Sequence, residues 1–158
     1  MWASFVDELK KIAEQESDFA PGIPDKGKFR SIPTRDKHET NLNIQHHEAP
    51  RAGTHWDLRI QDLEEPVAYS WAIPKAMLPK EPGDKLLAVR QPDHRAAYMG
   101  WSGLIENGYG KGKVTSTFLG PISVESSTPG RVQFTHDSKE YLLHRTANRK
   151  NWLIRRTQ

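Results

Sequence analysis

Cysteine is absent from this sequence of 158 residues. Its absence excludes disulfide bonds, zinc–thiolate sites and thiol nucleophiles, so any metal ion must be held by His, Asp, Glu or water. Long apolar runs are also missing, because no stretch approaches the roughly 20 residues that cross a bilayer. The N-terminus lacks the basic start and apolar core of a signal peptide. We therefore expect a cytoplasmic protein without membrane contact.

Apolar residues are nevertheless plentiful enough for a folded domain. They make up 35% of the chain, with five Trp, five Phe and four Tyr, which is more than most disordered chains carry. The length fits one domain of ordinary size, so we expect a single domain over residues 1–158.

Charge is unevenly distributed, although the formal net charge is only +3. Residues 1–25 hold two Lys against six Asp or Glu, whereas residues 131–158 hold seven Lys or Arg against two acids. This asymmetry is typical of a basic surface that binds a polyanionic partner by counterion release. On charge alone, a solvated basic edge is an equally good interpretation.

Two kinds of pattern divide the sequence near residue 40. Apolar residues spaced by three and four over residues 2–15 predict one amphipathic helix. Three Pro and two Gly over residues 20–40 predict an extended arm, which carries the basic run Lys26, Lys28 and Arg30. Beyond residue 40, ten runs of four to nine residues are separated by turn residues in many places. This part of the chain therefore predicts a mainly β fold, a barrel or a sandwich behind one helix.

The stretch QHHEAPRAGTHWDLRI, residues 45–60, concentrates groups that bind metals and phosphates. If HWDLRI is a strand, its side chains alternate between two faces. The polar face would then carry His55, Asp57 and Arg59, and the core face Trp56, Leu58 and Ile60. His55 and Asp57 would stand roughly 7 Å apart, close enough to converge on one cation.

A turn within EAPRAG would bring His47 alongside His55, whereas its neighbour His46 would point the opposite way and is expected at the surface. Two imidazoles and one carboxylate favour Mn, Fe, Co or Zn over Ca or Mg. The residues alone leave two interpretations open, a metal site and a solvated polar strand face.

A second cluster lies in PDHRAAYMGWSGLIENGYGKGKV, residues 92–114. His94 and Tyr98 are four residues apart, so on a helical turn they would share one face. Beside a metal, His94 could bond a phosphate oxygen or protonate a leaving group, and Tyr98 could anchor the same oxygen. The alternative is that His94 caps a turn and Tyr98 packs. The glycine-rich part predicts a tight hairpin, because it lacks the strand-to-helix context of a phosphate-binding loop.

Together these segments resemble the 3′-phosphoesterase family, known as the N-terminal domain of bacterial DNA ligase D and as free-standing proteins. The resemblance covers about residues 41–156. Five ordered motifs carry it: Gln45 with His47; His55, Asp57 and Arg59; SWAIPK over residues 70–75; Asp93, His94 and Tyr98; and the glycine-rich turn followed by NWLIRR. The family's fold implies a small closed or crescent-shaped β-barrel over residues 41–158, with few peripheral helices.

The resemblance implies a Mn²⁺-dependent enzyme, able to use Co²⁺ or another divalent transition metal, that trims DNA 3′ ends for end-joining repair. Such enzymes remove a 3′-terminal ribonucleoside from a primer-template and then hydrolyse the remaining 3′-phosphate. By carry-over, three residues hold the metal: His47, His55 and Asp57. Five residues serve the reaction: Arg59, His94 and Tyr98 at the phosphate, and Gln45 and Lys75 in support. The expected partners are DNA ends, a separate ligase and end-joining factors, acting with a monomer.

The chain departs from the family pattern in two places. Two residues are added between His47 and His55, which leaves His46 as a competing ligand. Leu86 stands where the family has an arginine, which predicts the loss of a phosphate contact and a weakening of one of the two activities.

Two rival functions remain. One is a non-haem Fe(II) oxygenase, in which His136 and Arg145 imitate a distal ligand and a co-substrate arginine. The other is a module that binds nucleic-acid ends without cleaving them.

Overall fold

The computed structural model describes residues 28–50, 53–106, 111–148 and 150–158. Nine strands follow in chain order: β1 His38–Ala49, β2 Gly53–Gln61, β3 Val67–Ile73, β4 Lys85–Arg95, β5 Gly103–Ile105, β6 Gly112–Thr128, β7 Arg131–His136, β8 Lys139–Arg145 and β9 Asn151–Arg156. One 3-10 turn, Ala96–Tyr98, joins β4 to β5. The predicted helix over residues 2–15 lies outside the described residues. Within the described ranges, no helix is long and apolar enough to cross a membrane.

Eight of the strands close into an antiparallel barrel. Their order is β1-β2-β3-β4-β9-β8-β7-β6, and β6 also pairs with β1. The ninth strand, β5, lies beside the start of β6, where Gly103 faces Val114. The prediction of a mainly β, barrel-shaped fold is therefore confirmed. Closure is physically favourable because it pairs strand edges that would otherwise be open to other chains.

Strand β6 differs from its sequence prediction. The runs GKVTSTFLG and ISVES were expected as separate strands, yet they form one strand of 17 residues that passes through Pro121. Pro121 faces Asn41 of β1, whereas pairing with β7 begins only at Ser123. A proline lacks the N–H that a ladder needs, and it is tolerated here because one side of β6 is not part of a ladder at that point.

The barrel interior is the main hydrophobic core. Strand alternation sends Leu42 and Ile44 of β1, Leu58 of β2 and Trp71 of β3 into it, and all four are fully buried. Trp71 meets Trp152 of β9 edge to face, with ring centroids 5.3 Å apart. Burial of large aromatic and branched side chains is the dominant favourable contribution to such a fold.

A smaller core covers part of the opposite face of the barrel wall. It consists of Tyr98, Trp101, Ile105 and Val114, all buried. Val114 of β6 faces His47 of β1 in the strand register, so this cluster packs beside that strand. The segment that follows β4 is thereby held over the outer face of the wall.

The segment before β1 crosses one end of the barrel. Its Lys28 carbonyl accepts a hydrogen bond from the backbone N–H of Asp93 in β4, at 2.8 Å. Further along, Arg35 and Ser127 of β6 exchange two backbone hydrogen bonds of 3.0 Å each. Between them Ile32 is buried in the main core. The described part of the predicted arm is thus an extended segment fastened to β4 and β6.

A buried carboxylate organises the loop between β2 and β3. Asp62 accepts hydrogen bonds from the backbone N–H groups of Glu64 and Glu65, at 2.7 and 2.9 Å, and from the hydroxyl of Tyr69. Burial by itself raises the pKa of Asp62, but these hydrogen bonds and the nearby Arg35 charge outweigh it and hold the pKa below 3.8. The ionised carboxylate therefore stabilises the folded state.

We expect Asp62→Ala to lower the free energy of unfolding by about 2 kcal/mol at pH 7, since it removes three hydrogen bonds and leaves their donors without an acceptor. A depressed folded-state pKa stabilises above the unfolded value, and this contribution is lost as the pH falls through the folded value. The difference between wild type and variant in urea unfolding should therefore shrink at pH 3. Asp84→Ala, at an exposed carboxylate, is the control, and an equal loss there would contradict the assignment.

Candidate active site

Strands β1 and β2 form the hairpin that brings three ligand-type side chains together. In their register His47 faces His55 and Gln45 faces Asp57. Gly53 opens β2 with φ +81°, a conformation that favours glycine. One ligand atom from each of His47, His55 and Asp57 lies within 4.8 Å of the other two. The donor set therefore has the size and chemistry to hold a divalent transition metal.

Gly112 fixes the neighbouring strand close to the hairpin. Its φ is +144°, and a Cβ atom added there would lie 2.0 Å from the carbonyl oxygen of Glu48. Any larger residue would thus push β6 away from the part of β1 that carries His47.

The carboxylate of Asp57 lies at the centre of the cluster. Its Oδ2 is 3.3 Å from Nδ1 of His47, and its Oδ1 is 3.1 Å from Nε2 of His55. Nη2 of Arg59 is 3.8 Å from Oδ2. Burial alone raises the pKa of Asp57, but the bonds to both histidines and the guanidinium charge reverse this and hold the pKa far below its usual range. Asp57 is therefore an anion at neutral pH.

The ring of His55 is oriented by the turn that precedes it. Its Nδ1 lies 2.9 Å from the carbonyl oxygen of Gly53, which can only accept, so Nδ1 carries the hydrogen. Nε2 is then the nitrogen directed at Asp57. Burial lowers the pKa of His55, but the bond to Asp57, that residue's charge and the Gly53 carbonyl outweigh it, so the pKa is raised overall. A ring fixed through one nitrogen and offering the other is the usual arrangement of a metal-binding histidine.

Burial decides between the two sequence-based interpretations of the polar face of β2. Asp57 and Arg59 are each only 5% exposed. The interpretation of these residues as a solvated strand face is therefore wrong, because both faces of β2 are covered. His46, on the opposite face of β1, is half-buried rather than fully exposed, and its ring packs 4.9 Å from that of Trp56.

A small pocket adjoins the cluster. Nine residues line it: Gln45, His47, Asp57, Arg59, His94, Arg95, Tyr98, Trp101 and Val114. Six of the eight residues expected to serve the site thus border one cavity, and a seventh, His55, contacts Asp57 directly. The segment that follows β4 lies over the outer face of the wall, and we call it the cover. The side-chain amide of Gln45 donates a hydrogen bond to the carbonyl of Trp101 at 2.9 Å, which links the hairpin to the cover.

The secondary structure that positions His94 and Tyr98 in the pocket differs from the predicted one. His94 lies in β4, and only Ala96–Tyr98 form a helical turn. The pairing of β3 with β4 contains a register shift, because Ser70 faces Gln91 whereas Ala68 faces His94. The single helical turn expected across both residues was therefore wrong, although the pocket contains both.

The hydrogen positions on His94 and Tyr98 follow from the groups around them. Nδ1 of His94 lies 2.9 Å from the carbonyl of Pro92, so it carries the hydrogen and Nε2 is the nitrogen able to exchange a proton. Burial raises the pKa of Tyr98, despite the charge of Arg95 and its hydrogen bond to the phenol. Tyr98 is therefore a neutral hydroxyl that accepts from Arg95 and can donate onward.

Two residues discussed from the sequence do not reach this cavity. Lys75 is exposed just beyond β3 and is not part of the pocket lining. Leu86 packs against the main core, because its position in β4 faces Ile154 of β9. Its side chain is thus on the interior side of the wall.

Arg95 and Trp101 are the polar and aromatic lining residues that the sequence analysis did not select. Arg95 directly follows His94 in the sequence. A positive charge next to a candidate phosphate-binding residue could have identified Arg95 as part of the site. Trp101 could not be found in this way, since it contributes a backbone carbonyl and an apolar wall.

The residue invoked for an oxygenase lies apart from the cluster. His136 of β7 stacks edge to face on Phe118, with centroids 4.4 Å apart. Within the described residues, the group able to hold a metal consists of His47, His55 and Asp57. The oxygenase interpretation therefore lacks its distal ligand.

A comparison with known protein families gives a match. The model of a family described as the DNA ligase D 3′-phosphoesterase domain matches residues 45–156. A search of curated proteins found no match. The matched range begins within β1 and contains β2, β4, the segment that follows β4 and every residue that lines the pocket.

Metal binding distinguishes the two adjacent histidines. We expect His47→Ala to weaken Mn²⁺ affinity on the order of 100-fold or more, because loss of even an outer partner of a ligand costs 10- to 100-fold. His46→Ala should leave the affinity unchanged, since His46 packs on Trp56 on the other face. Isothermal titration with Mn²⁺ measures both variants. The reverse order of effects would assign the ligand to His46.

Proposed function

Because the chain belongs to the family of DNA ligase D 3′-phosphoesterase domains, we propose that it is a Mn²⁺-dependent enzyme that heals DNA 3′ ends. It would remove a 3′-terminal ribonucleoside from a primer strand and hydrolyse the remaining 3′-phosphate, leaving a 3′-hydroxyl for ligation. The observation that carries the proposal is the position of an anionic His-His-Asp cluster beside Arg59, His94 and Arg95 in one pocket.

The donor set fits the metal that this chemistry needs. Two imidazoles and one carboxylate suit Mn²⁺ or Co²⁺, and His47, His55 and Asp57 would hold the ion. When bound, such an ion supplies Lewis-acid chemistry, since it polarises a phosphoryl oxygen and lowers the pKa of water. Before binding, the bonds from both histidines keep Asp57 ionised and aligned, so the site needs little rearrangement.

The protein's own groups would act on the phosphate from the other side of the pocket. Arg59 and Arg95 are positioned to neutralise charge on the non-bridging oxygens, where it accumulates in phosphoryl transfer. Nε2 of His94 would give a proton to the departing oxygen, which is the ribonucleoside 5′ oxygen in the first step and the primer 3′ oxygen in the second, because Nδ1 is engaged with the carbonyl of Pro92. Tyr98, neutral and bonded to Arg95, would donate to the same group of oxygens.

Outer parts of the substrate would meet residues outside the pocket. We assign Lys75, exposed just past β3, to the DNA backbone beside the reacting phosphate.

Gln45 holds the cover through Trp101 and is a positioning residue. Because Leu86 stands where the family has an arginine, we expect the phosphomonoesterase activity to be the weaker one. Arg95 is the second guanidinium available in the pocket. A separate ligase and end-joining factors would use the healed ends.

The main activity test uses a primer-template that ends in one 3′-ribonucleotide. With Mn²⁺, we expect stepwise conversion to a 3′-phosphate and then a 3′-hydroxyl, resolved on a denaturing gel. His55→Ala should reduce the rate by at least 1000-fold, because the metal loses a ligand, while His144→Ala on β8 serves as the matched control. Trimming that survives His55→Ala contradicts the site. Turnover only with Fe²⁺ and oxoglutarate would support an oxygenase, and binding without any cleavage would support a non-catalytic module.

Arg95 provides a separate test of the phosphate side. We expect Arg95→Ala to lower kcat/KM about 100-fold, in the range seen when one transition-state donor is removed. Arg95→Lys should recover only part, because it restores the charge without the planar fork. Steady-state assays of Tyr98→Phe and the double variant show whether Arg95 acts only through Tyr98. Arg155→Ala, exposed on β9, is the control, and an active Arg95→Ala enzyme would exclude the role.

A further inference from the structure

A second concave surface lies at the end of the barrel, away from the His-His-Asp cluster. We call it the basic end pocket. Six of the eight residues that line it are charged or aromatic: Phe29, Arg30, Arg90, Arg145, Lys150 and Trp152. They come from the segment before β1, the interior face of β4, the end of β8 and the start of β9. Four positive side chains therefore surround one cavity that has two aromatic rings in its wall.

Two residues in the wall of the cavity carry buried polar atoms. Arg90 is only 8% exposed, and its Nε has no hydrogen-bond partner among the described residues. Trp152 is 1% exposed, and its indole N–H likewise lacks an acceptor in the described part of the chain. Buried donors are normally satisfied, so the wall of this cavity is short of hydrogen-bond acceptors among the described residues.

Charge in the pocket is only partly compensated. Asp93, fully buried, pairs with Arg90 at 3.0 Å and with Arg30 at 3.4 Å. Arg145 and Lys150 are exposed and form no ion pair with another described residue. Burial lowers the pKa of Arg90, and repulsion from Arg145 adds to this effect although Asp93 opposes it. Among the described residues that line or contact this cavity, positive groups therefore outnumber negative ones, an arrangement that an anion would stabilise.

The aromatic wall restricts the kind of anion. Phe29 is 46% exposed, and the Arg90 guanidinium lies 5.9 Å from its ring centroid, 5.6 Å from that of Tyr69 and 5.3 Å from that of Trp71. A cation packed on aromatic rings beside an exposed ring can hold a phosphate and a stacked base together. A nucleotide unit satisfies both features, whereas inorganic phosphate satisfies only the first.

The pocket also lies within reach of the candidate active site. Arg90 and His94 are four residues apart on β4, roughly 13 Å of strand. They belong to different cavities, the basic end pocket and the catalytic pocket. One DNA strand carries a phosphate every ~3.4 Å of helix axis, so a few nucleotides span this distance.

We propose that the basic end pocket binds a nucleotide unit of the substrate strand, with its phosphate on Arg30, Arg145 and Lys150 and its base against Phe29. The identity of the polymer rests on the proposed function, whereas the anion chemistry rests on the pocket itself. This second contact would hold the strand while its 3′ end occupies the catalytic pocket.

The test measures binding without catalysis. Fluorescence anisotropy of a labelled single-stranded oligonucleotide, in EDTA, gives Kd as a function of salt for wild type and for Arg145→Ala/Lys150→Ala. We expect the double variant to bind on the order of tenfold more weakly, with a flatter dependence of log Kd on log salt, because phosphate contacts are lost. Phe29→Ala should weaken binding without changing the salt slope. Lys139→Ala, on β8 beside Asp137, should change neither quantity.

Each outcome decides the proposal. An unchanged Kd and slope in the double variant would overturn it, even if the enzyme trims 3′ ends. A mononucleotide that competes as well as the oligonucleotide would also overturn it, in favour of a free nucleotide ligand. If wild type trims no 3′ end but the double variant still loses oligonucleotide affinity, the pocket stands and the proposed activity fails. Thermal melting of each variant confirms that a loss of binding is not a loss of folding.

Discussion

The buried carboxylate of Asp57 is the charge around which the polar face of the β1–β2 hairpin is arranged. An ionised group removed from water costs several kcal/mol unless other charges and hydrogen bonds compensate it. Here His47, His55 and Arg59 all approach its two oxygens. Because these partners come from two strands, the hairpin register that pairs His47 with His55 is needed to keep the carboxylate ionised.

The partners that keep Asp57 ionised act most strongly away from water, and the barrel wall at the β1–β2 hairpin is accordingly buried on both sides. The interior side of β2 packs into the main core through Leu58, as in any barrel. On the outer side, the segment after β4 is held by its own apolar cluster and by the hydrogen bond from Gln45 to the Trp101 carbonyl. The cover excludes water from Asp57 and Arg59, which strengthens every electrostatic interaction in the pocket. The same cover adds Tyr98 and Trp101 to the site.

Much of this arrangement could be predicted from local patterns. Alternation in HWDLRI separates the two faces of β2 correctly, and the proline and glycine in EAPRAG predict the hairpin that joins it to β1. Both follow from geometry that depends on neighbouring residues alone. The strand VAYSWAI coincides with β3 for the same reason, because a short and mainly apolar run bounded by turn residues has few other solutions.

Other features depend on contacts that no local pattern contains. His94 reaches the pocket through a register shift between β3 and β4, and a shift of this kind is set by pairing partners rather than by the sequence around His94. Pro121 lies within β6 because β7 begins to pair only two residues later, a fact known only from the closed sheet. The burial of Arg59 was likewise unpredictable, since it depends on a cover that starts more than 30 residues further along the chain.

Strand β4 contributes residues to both the basic end pocket and the catalytic pocket, and Asp93 lies between those residues. Its carboxylate is fully buried, and it binds Arg90 of the basic end pocket and both the backbone and the side chain of Arg30. The next residue, His94, points to the catalytic pocket on the other side of the wall. Burial raises the pKa of Asp93, while Arg30 and Arg90 oppose that rise. One compensated charge therefore fixes the segment across the barrel end and the strand that carries the candidate acid. A displacement of Arg30 by a bound phosphate would therefore remove a partner of Asp93, the residue that directly precedes His94 in β4.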